Sequence, residues 1–175
     1  MAPAAPAATP TAGPDPARVA FALVVGSTLL HVAYAGLLPL TPQEAYYWQY
    51  ARHPALSYFD HPPAAAWTIA ATTWLFGHGE RAIRVAAALW SIAFSAFLFL
   101  AGRRLFGGRV ALLALGTLLV VPFFNLGQVI ITPDAPLAAA WVAARLISSA
   151  AFAESWAAFS AAARAVVAAA TWFLA

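Results

Sequence analysis

Between Thr41 and Pro63 the chain reads TPQEAYYWQYARHPALSYFDHPP, which sets Glu44, Arg52, His53, Asp60 and His61 among Tyr46, Tyr47, Trp48, Tyr50 and Tyr58. A carboxylate held beside a hydroxyl can act as a general base, and a histidine or arginine can hold an anion. A further acid, Asp134, follows Thr132-Pro133. Each acid also has a plain structural use. Thr41, Pro42 and Glu44 spell a helix start, with Thr41 as N-cap and Glu44 completing a capping box. Asp134 stands at a second such start, where the backbone dipole favours a carboxylate by about 0.3–1 kcal/mol. Asp60 can form a turn ahead of Pro62-Pro63, but no helix cap explains it, and its apolar neighbours raise the cost of an idle charge.

The surrounding sequence decides how much weight these residues carry. Of 175 residues, 63% are hydrophobic and 9% charged, and the mean hydropathy is +0.79. Such a chain cannot build a water-soluble surface, which makes it an integral membrane protein of the all-α, polytopic class. It holds only six acids, so ionisable groups gathered at one membrane face are functional candidates. There is no cysteine, which removes disulfides, zinc-thiolate sites and thiol catalysis. The net charge of +3 is small and dispersed, which argues against a nucleic-acid partner. Asp60 with His53 and His61 could offer a metal set, but helical H-x-x-x-H spacing is absent, so no metal is assigned and no cofactor is expected.

A bilayer core of about 30 Å needs roughly 20 apolar residues in a helix. Residues 1–18 are Pro/Ala-rich and read as a disordered tail. Val19–Leu38 is a charge-free first span. A signal peptide cleaved near Ala33-Tyr34-Ala35 competes with it, against a basic flank of Arg18 alone. Further spans follow at Val85–Ala101, at Val110 to about Phe124 or Ile131, and at Pro136–Ile147, for four to five in all with the Ala-rich Trp156–Ala175. The basic run Gly102–Arg109 reads as the hairpin joining the second and third. Between the first two spans, helices are expected from Pro42 to His53 and over Ala64–Phe76, the latter too short to span and suited to a juxtamembrane position. Arg18, Arg103, Arg104 and Arg109 on one side against Arg52, Arg81 and Arg84 on the other favour a cytoplasmic N-terminus and an extracytoplasmic first loop; a bacterial inner membrane is the expected location. Two spans separate that loop from Asp134. Glu44, Asp60 and Asp134 therefore share one membrane face whichever way the chain inserts.

Glu44-Ala45-Tyr46-Tyr47-Trp48, then Tyr58-Phe59-Asp60-His61-Pro62-Pro63, then Ile131-Thr132-Pro133-Asp134-Ala135-Pro136-Leu137 resemble the N-terminal part of the dolichyl-phosphate-mannose protein mannosyltransferases. They are similar also to bacterial GT-C relatives that transfer aminoarabinose or other sugars to lipid A. The resemblance runs from Val19 to Ile147. It implies a glycosyltransferase that takes a sugar from a polyprenyl-phosphate donor within membrane lipid and passes it to a glycan, lipid or protein acceptor at the extracytoplasmic face. It further implies a first-loop carboxylate as general base. Glu44 falls on the Glu of the family's Asp-Glu pair and Gln43 stands where the Asp often is, so Glu44 is the expected base, with Asp134 and Asp60 as alternates. His61 matches an often basic position suited to the lipid phosphate, and Arg52, Arg84 and Arg81 are further candidates for that contact. Residues 148–175 depart from the family pattern and read as a divergent, truncated segment. The competing expectation is a catalytically silent membrane protein that binds lipid or a partner through the same loop.

Overall fold

A computed structural model describes residues 13–149. Residues 1–12 of the tail, most of the divergent segment and the fifth apolar stretch lie outside the described residues. The described chain is all helical, without strands, as expected. Helix α1 (Pro16–Ala35) starts earlier than hydropathy alone indicates, because Asp15 is its N-cap and accepts from Ala17 N at 3.0 Å, with Pro16 at N1. The last residues assigned to the tail are therefore helical. Helix α2 (Pro42–Ala51) carries the full capping box: Thr41 Oγ1 accepts from Glu44 N at 3.2 Å, and Glu44 Oε2 accepts from Thr41 N at 2.8 Å. Helix α3 (Ala64–Phe76) takes the bounds read from sequence and stops at Gly77, whose φ of +87° suits a residue without a Cβ.

Helix α4 (Glu80–Phe106) is about 40 Å long at 1.5 Å per residue, more than a bilayer core requires. Only α1 and α4, among the described residues, are long and apolar enough to cross a membrane. The expected basic hairpin loop is corrected by α4. Arg103 and Arg104 occupy its last turn, where cations complement the C-terminal dipole, and the reversal is made by Gly107 at φ +88°. Helix α5 (Gly108–Val120) follows at once. A Cβ on Gly102 would sit 3.1 Å from Ala111 Cβ, so the glycine lets the hairpin close.

The expected third span is not continuous either. Val121, ahead of Pro122, is extended (φ −74°, ψ 121°), and the chain restarts as α6 (Pro122–Gly127) with Pro122 in its first turn. The break frees carbonyls within the apolar layer. Asn125 answers it, its amide donating to Leu119 O (2.8 Å) and Val121 O (3.1 Å). His31 of α1 joins the repair through Asn125 Oδ1 at 3.0 Å and Ser27 O at 2.6 Å. A last helix, α7, covers 134–149.

Helix α4 packs against α1, α3 and α5, and a core forms near each of its ends. Tyr47, Ile69, Ile83 and Ile131 close over buried alanines at the loop end. Ala20, Phe99, Ala111 and Leu115 do so at the arginine end. Ile131 in the first of these cores ties the segment before Asp134 to α2 and α3.

Candidate functional site

The capping box places the Glu44 carboxylate inward, where Arg84 of α4 meets it with two parallel bonds. Arg84 Nε donates to Glu44 Oε1 and Nη2 to Glu44 Oε2, each at 3.1 Å. The remaining N–H groups of Arg84 go to the backbone leaving α1: Ala35 O, Leu38 O at 2.6 Å and Pro39 O at 2.7 Å. All five guanidinium donors are thus used. The Glu44 side chain is 0% exposed and that of Arg84 2%. With Thr41 N included, the carboxylate accepts three bonds, out of roughly four lone-pair positions. This geometry bears on the roles expected of both residues. Glu44 has no open direction for an acceptor hydroxyl, and Arg84 has no donor left for a phosphate. The pair is a clamp that fixes the first loop to α1 and α4.

Asp60 lies in a different setting. The i, i+4 spacing of Tyr46 and Tyr50 puts both hydroxyls on one edge of α2, and they donate to Asp60 Oδ2 (2.9 Å) and Oδ1 (2.7 Å). The Tyr46 and Tyr50 hydroxyls also contact each other. His61 Nδ1 is 3.0 Å from Asp60 Oδ2, a close contact without hydrogen-bond alignment. His61 Nε2 is 3.3 Å from the hydroxyl of the buried Tyr47, which Gln43 Nε2 reaches from the other side, also at 3.3 Å. A polar chain therefore runs Gln43, Tyr47, His61, Asp60 and on to the two tyrosines. Tyr50's hydroxyl, followed by His61 and Tyr46, outweighs desolvation and draws the Asp60 carboxyl down to about 2. Tyr50's phenol is pushed above its ordinary range, first by the tie to Tyr46 and then by Asp60. The loop between α2 and α3 is stapled by Tyr58, stacked on Tyr50 at 4.2 Å, and by Trp67 Nε1 donating to Ala55 O at 2.9 Å.

Asp134 opens α7 at the mouth of a groove of about 410 Å³, a volume within the roughly 300–1,000 Å³ of small-molecule sites. Its walls are apolar, from Trp90 and Phe94 of α4, Leu118 of α5 and Phe124 of α6, while Gln43, Gln128 and Asp134 supply polar groups. Asp134 is exposed and makes no side-chain hydrogen bond or ion pair among the described residues. Gln43 belongs both to this groove and to the polar chain, so it links Asp134 to the Asp60–His61 cluster. Arg52 is exposed at the end of α2, its guanidinium 5.4 Å from the Trp48 ring centroid.

Asp60 and His61 thus come together as their adjacency requires, Asp134 shares the groove with Gln43, and Glu44 with Arg84 forms a separate buried pair. Gln43, Tyr46, Tyr47 and Tyr50 were not among the expected site residues. The tyrosine spacing was the readable signal for them, and for Gln43 the only signal was its place beside Glu44. A carboxylate with its pKa drawn down to about 2, as at Asp60, is a weak proton acceptor. A family model described as dolichyl-phosphate-mannose-protein mannosyltransferase matches residues 60–173, covering Asp60, His61, Arg84 and Asp134. It starts beyond Glu44 and runs past Ile147, where the resemblance read from sequence ends. No curated protein and no solved structure gives a significant match to the chain. A match over well more than half of the sequence, joined to an all-helical fold with two membrane-length helices, shows that the chain belongs to the dolichyl-phosphate-mannose-protein mannosyltransferase family, of the GT-C type.

Proposed function

We propose that the chain carries the loop and groove of a membrane glycosyltransferase that moves a sugar from a polyprenyl-phosphate donor to a hydroxyl of a lipid, glycan or protein acceptor. The observation that carries this reading is the groove with Asp134 and Gln43 at its mouth and aromatic, apolar walls behind them. An isoprenoid chain fits such walls, and an acidic mouth suits an acceptor hydroxyl. In the proposed reaction Asp134 accepts the hydroxyl proton, the acceptor oxygen bonds to the anomeric carbon, and the bond from that carbon to the phosphate oxygen breaks. The lipid phosphate leaves with the electron pair. Asp60, held ionised by its tyrosines, orients His61 and sugar hydroxyls. The lipid phosphate is met by Arg52 and by His61, the latter once the 3.3 Å contact to Tyr47 gives way. The loop faces the extracytoplasmic side in this proposal.

A second reading is a silent lipid-binding protein, favoured by the complete engagement of Glu44 and Arg84. One experiment separates the two. Membranes carrying the whole chain are given a radiolabelled polyprenyl-phosphate hexose, and both donor retention and transfer to hydroxyl acceptors are counted. Asp134→Asn is expected to abolish transfer while donor retention stays within a few-fold. Donor retention without any transfer by the parent chain would select the silent reading. Undiminished transfer by Asp134→Asn would remove Asp134 as the base.

A further inference from the structure

A second groove runs between α1 and α4 from mid-helix toward the arginine end, with a volume of about 620 Å³, and adjoins the Asp134 groove at Ser95. Its rims are two stripes at i, i+4, i+8 spacing: Phe21, Val25 and Leu29 on α1, and Ile92, Ala96 and Leu100 on α4. Phe21 is 72% exposed and Leu29 66%, so no described residue covers these rims. The groove extends along α1 from Ala17 to Leu29, about 18 Å at 1.5 Å per residue. That is close to the depth of one leaflet, half of a core of about 30 Å. A partner helix crossing the bilayer would need a track of twice that depth. A single acyl chain needs only this one.

The charge at the mouth selects the headgroup. Arg103 lines the groove's outer end and makes no side-chain hydrogen bond or ion pair among the described residues. Arg104 follows it in the last turn of α4, with Arg18 near the start of α1 and Arg109 near the start of α5. Asp15 is the one acid at this end among the described residues, and it is committed to capping α1. We propose that this groove is a binding site for an anionic glycerophospholipid of the adjoining leaflet, with one acyl chain between the two stripes and the headgroup phosphate on Arg103. A guanidinium matches phosphate oxygens with paired N–H donors. A polybasic cluster at the membrane surface adds attraction for anionic lipid.

The test is native mass spectrometry of the purified chain titrated with phosphatidylglycerol and phosphatidylcholine of identical acyl chains. The parent chain is expected to retain one phosphatidylglycerol and to prefer it over phosphatidylcholine by at least about tenfold, a preference that weakens with added salt. Arg103→Gln should bring that preference below about threefold. Ala96→Phe, which fills the groove, should lower retention of both lipids. Equal binding of the two lipids by the parent chain would overturn the proposal, as would full retention in Ala96→Phe. Efficient cross-linking of two chains through Val25→Cys would assign the groove to a second copy and also overturn it. Should Arg103→Gln fail to fold, the parent chain's selectivity and Ala96→Phe still decide the matter.

Discussion

Removing Arg84 tests the claim that the first loop is held by a buried clamp. In Arg84→Met the Glu44 carboxylate stays 0% exposed without a counter-charge, and breaking a buried pair from one side costs about 3–5 kcal/mol. The carbonyls of Ala35, Leu38 and Pro39 lose their donors as well, which places Arg84→Met at the upper end of that range. Glu44→Gln is milder, because the amide keeps the shape and three backbone carbonyls still hold the guanidinium, although its NH2 now faces an Arg84 or Thr41 N–H donor. Its cost is the loss of charge-assisted bonds, about 1.5–3 kcal/mol.

Hydrogen exchange of the α2 amides in detergent reads this directly as local opening. At about 1.4 kcal/mol per factor of ten, Arg84→Met should speed exchange across Pro42–Ala51 by roughly 10³-fold or more, and Glu44→Gln by roughly 10–10². The double variant should cost less than the sum of the two by about 0.5–3 kcal/mol, since each removes the other's partner. The clamp is refuted if Arg84→Met leaves α2 exchange within threefold of the parent. Strict additivity of the double variant would refute the pairing even if each single change were costly.

Thr41→Ala should loosen the start of α2 by about 0.5–2 kcal/mol, measured by the same exchange of its first-turn amides, with α3 unaffected. The Asp60 carboxyl is depressed to about 2 by Tyr50, His61 and Tyr46, so its contribution to loop order is fully present above its unfolded value of about 3.9 and is lost as pH falls toward 2. Tyr50–Tyr58 stacking followed by near-ultraviolet dichroism should therefore be flat from pH 5 to 8, and Asp60→Asn should remove the acid transition; a transition kept in Asp60→Asn would mean another group controls it. Tyr50's phenolate should form at higher pH than an ordinary tyrosine's, and both Tyr46→Phe and Asp60→Asn should move it back, as read by absorbance near 295 nm. With no native cysteine, Ser57→Cys and Phe106→Cys should react with an impermeant thiol reagent from opposite sides of the membrane, and labelling from one side would dismantle the placement of the loop opposite the α4–α5 turn.

Local signals were readable in the sequence, and contacts over long separations were not. Thr41-Pro42-Gln43-Glu44 announces its capping box because all four residues act within one turn, and α3 keeps its bounds because Pro63 and Gly77 flank a charge-free run. Asp15-Pro16 carried the same kind of signal for α1, hidden inside a Pro/Ala-rich stretch whose composition pointed to disorder. The Gly102–Arg109 run misled for a physical reason: arginines at a helix C-terminus are favoured by the dipole and extend to the surface, so charge did not mark the end of α4. Glu44 and Arg84 lie 40 positions apart, and nothing local shows that either is fully buried. For the same reason the His31–Asn125 contact across 94 positions was visible only as isolated polar residues in or beside apolar runs.

The roles of the acids divide by what each one's neighbours leave free. Glu44 spends its lone pairs on Arg84 and Thr41, and this holds α2 at a fixed height against α4. That fixed height matters for Asp60, whose two tyrosines project from α2 while its own backbone belongs to the loop ahead of α3. It matters again for Gln43, one residue before Glu44, which the clamp holds at the mouth of the Asp134 groove. A defect in the clamp should then be felt at a distance. Gln43 would lose its register with Tyr47, and the 3.3 Å contacts that join Gln43 and His61 through Tyr47 are the weakest links in the polar chain. The buried pair sets the height of α2, and the exposed Asp134 makes no side-chain hydrogen bond or ion pair among the described residues.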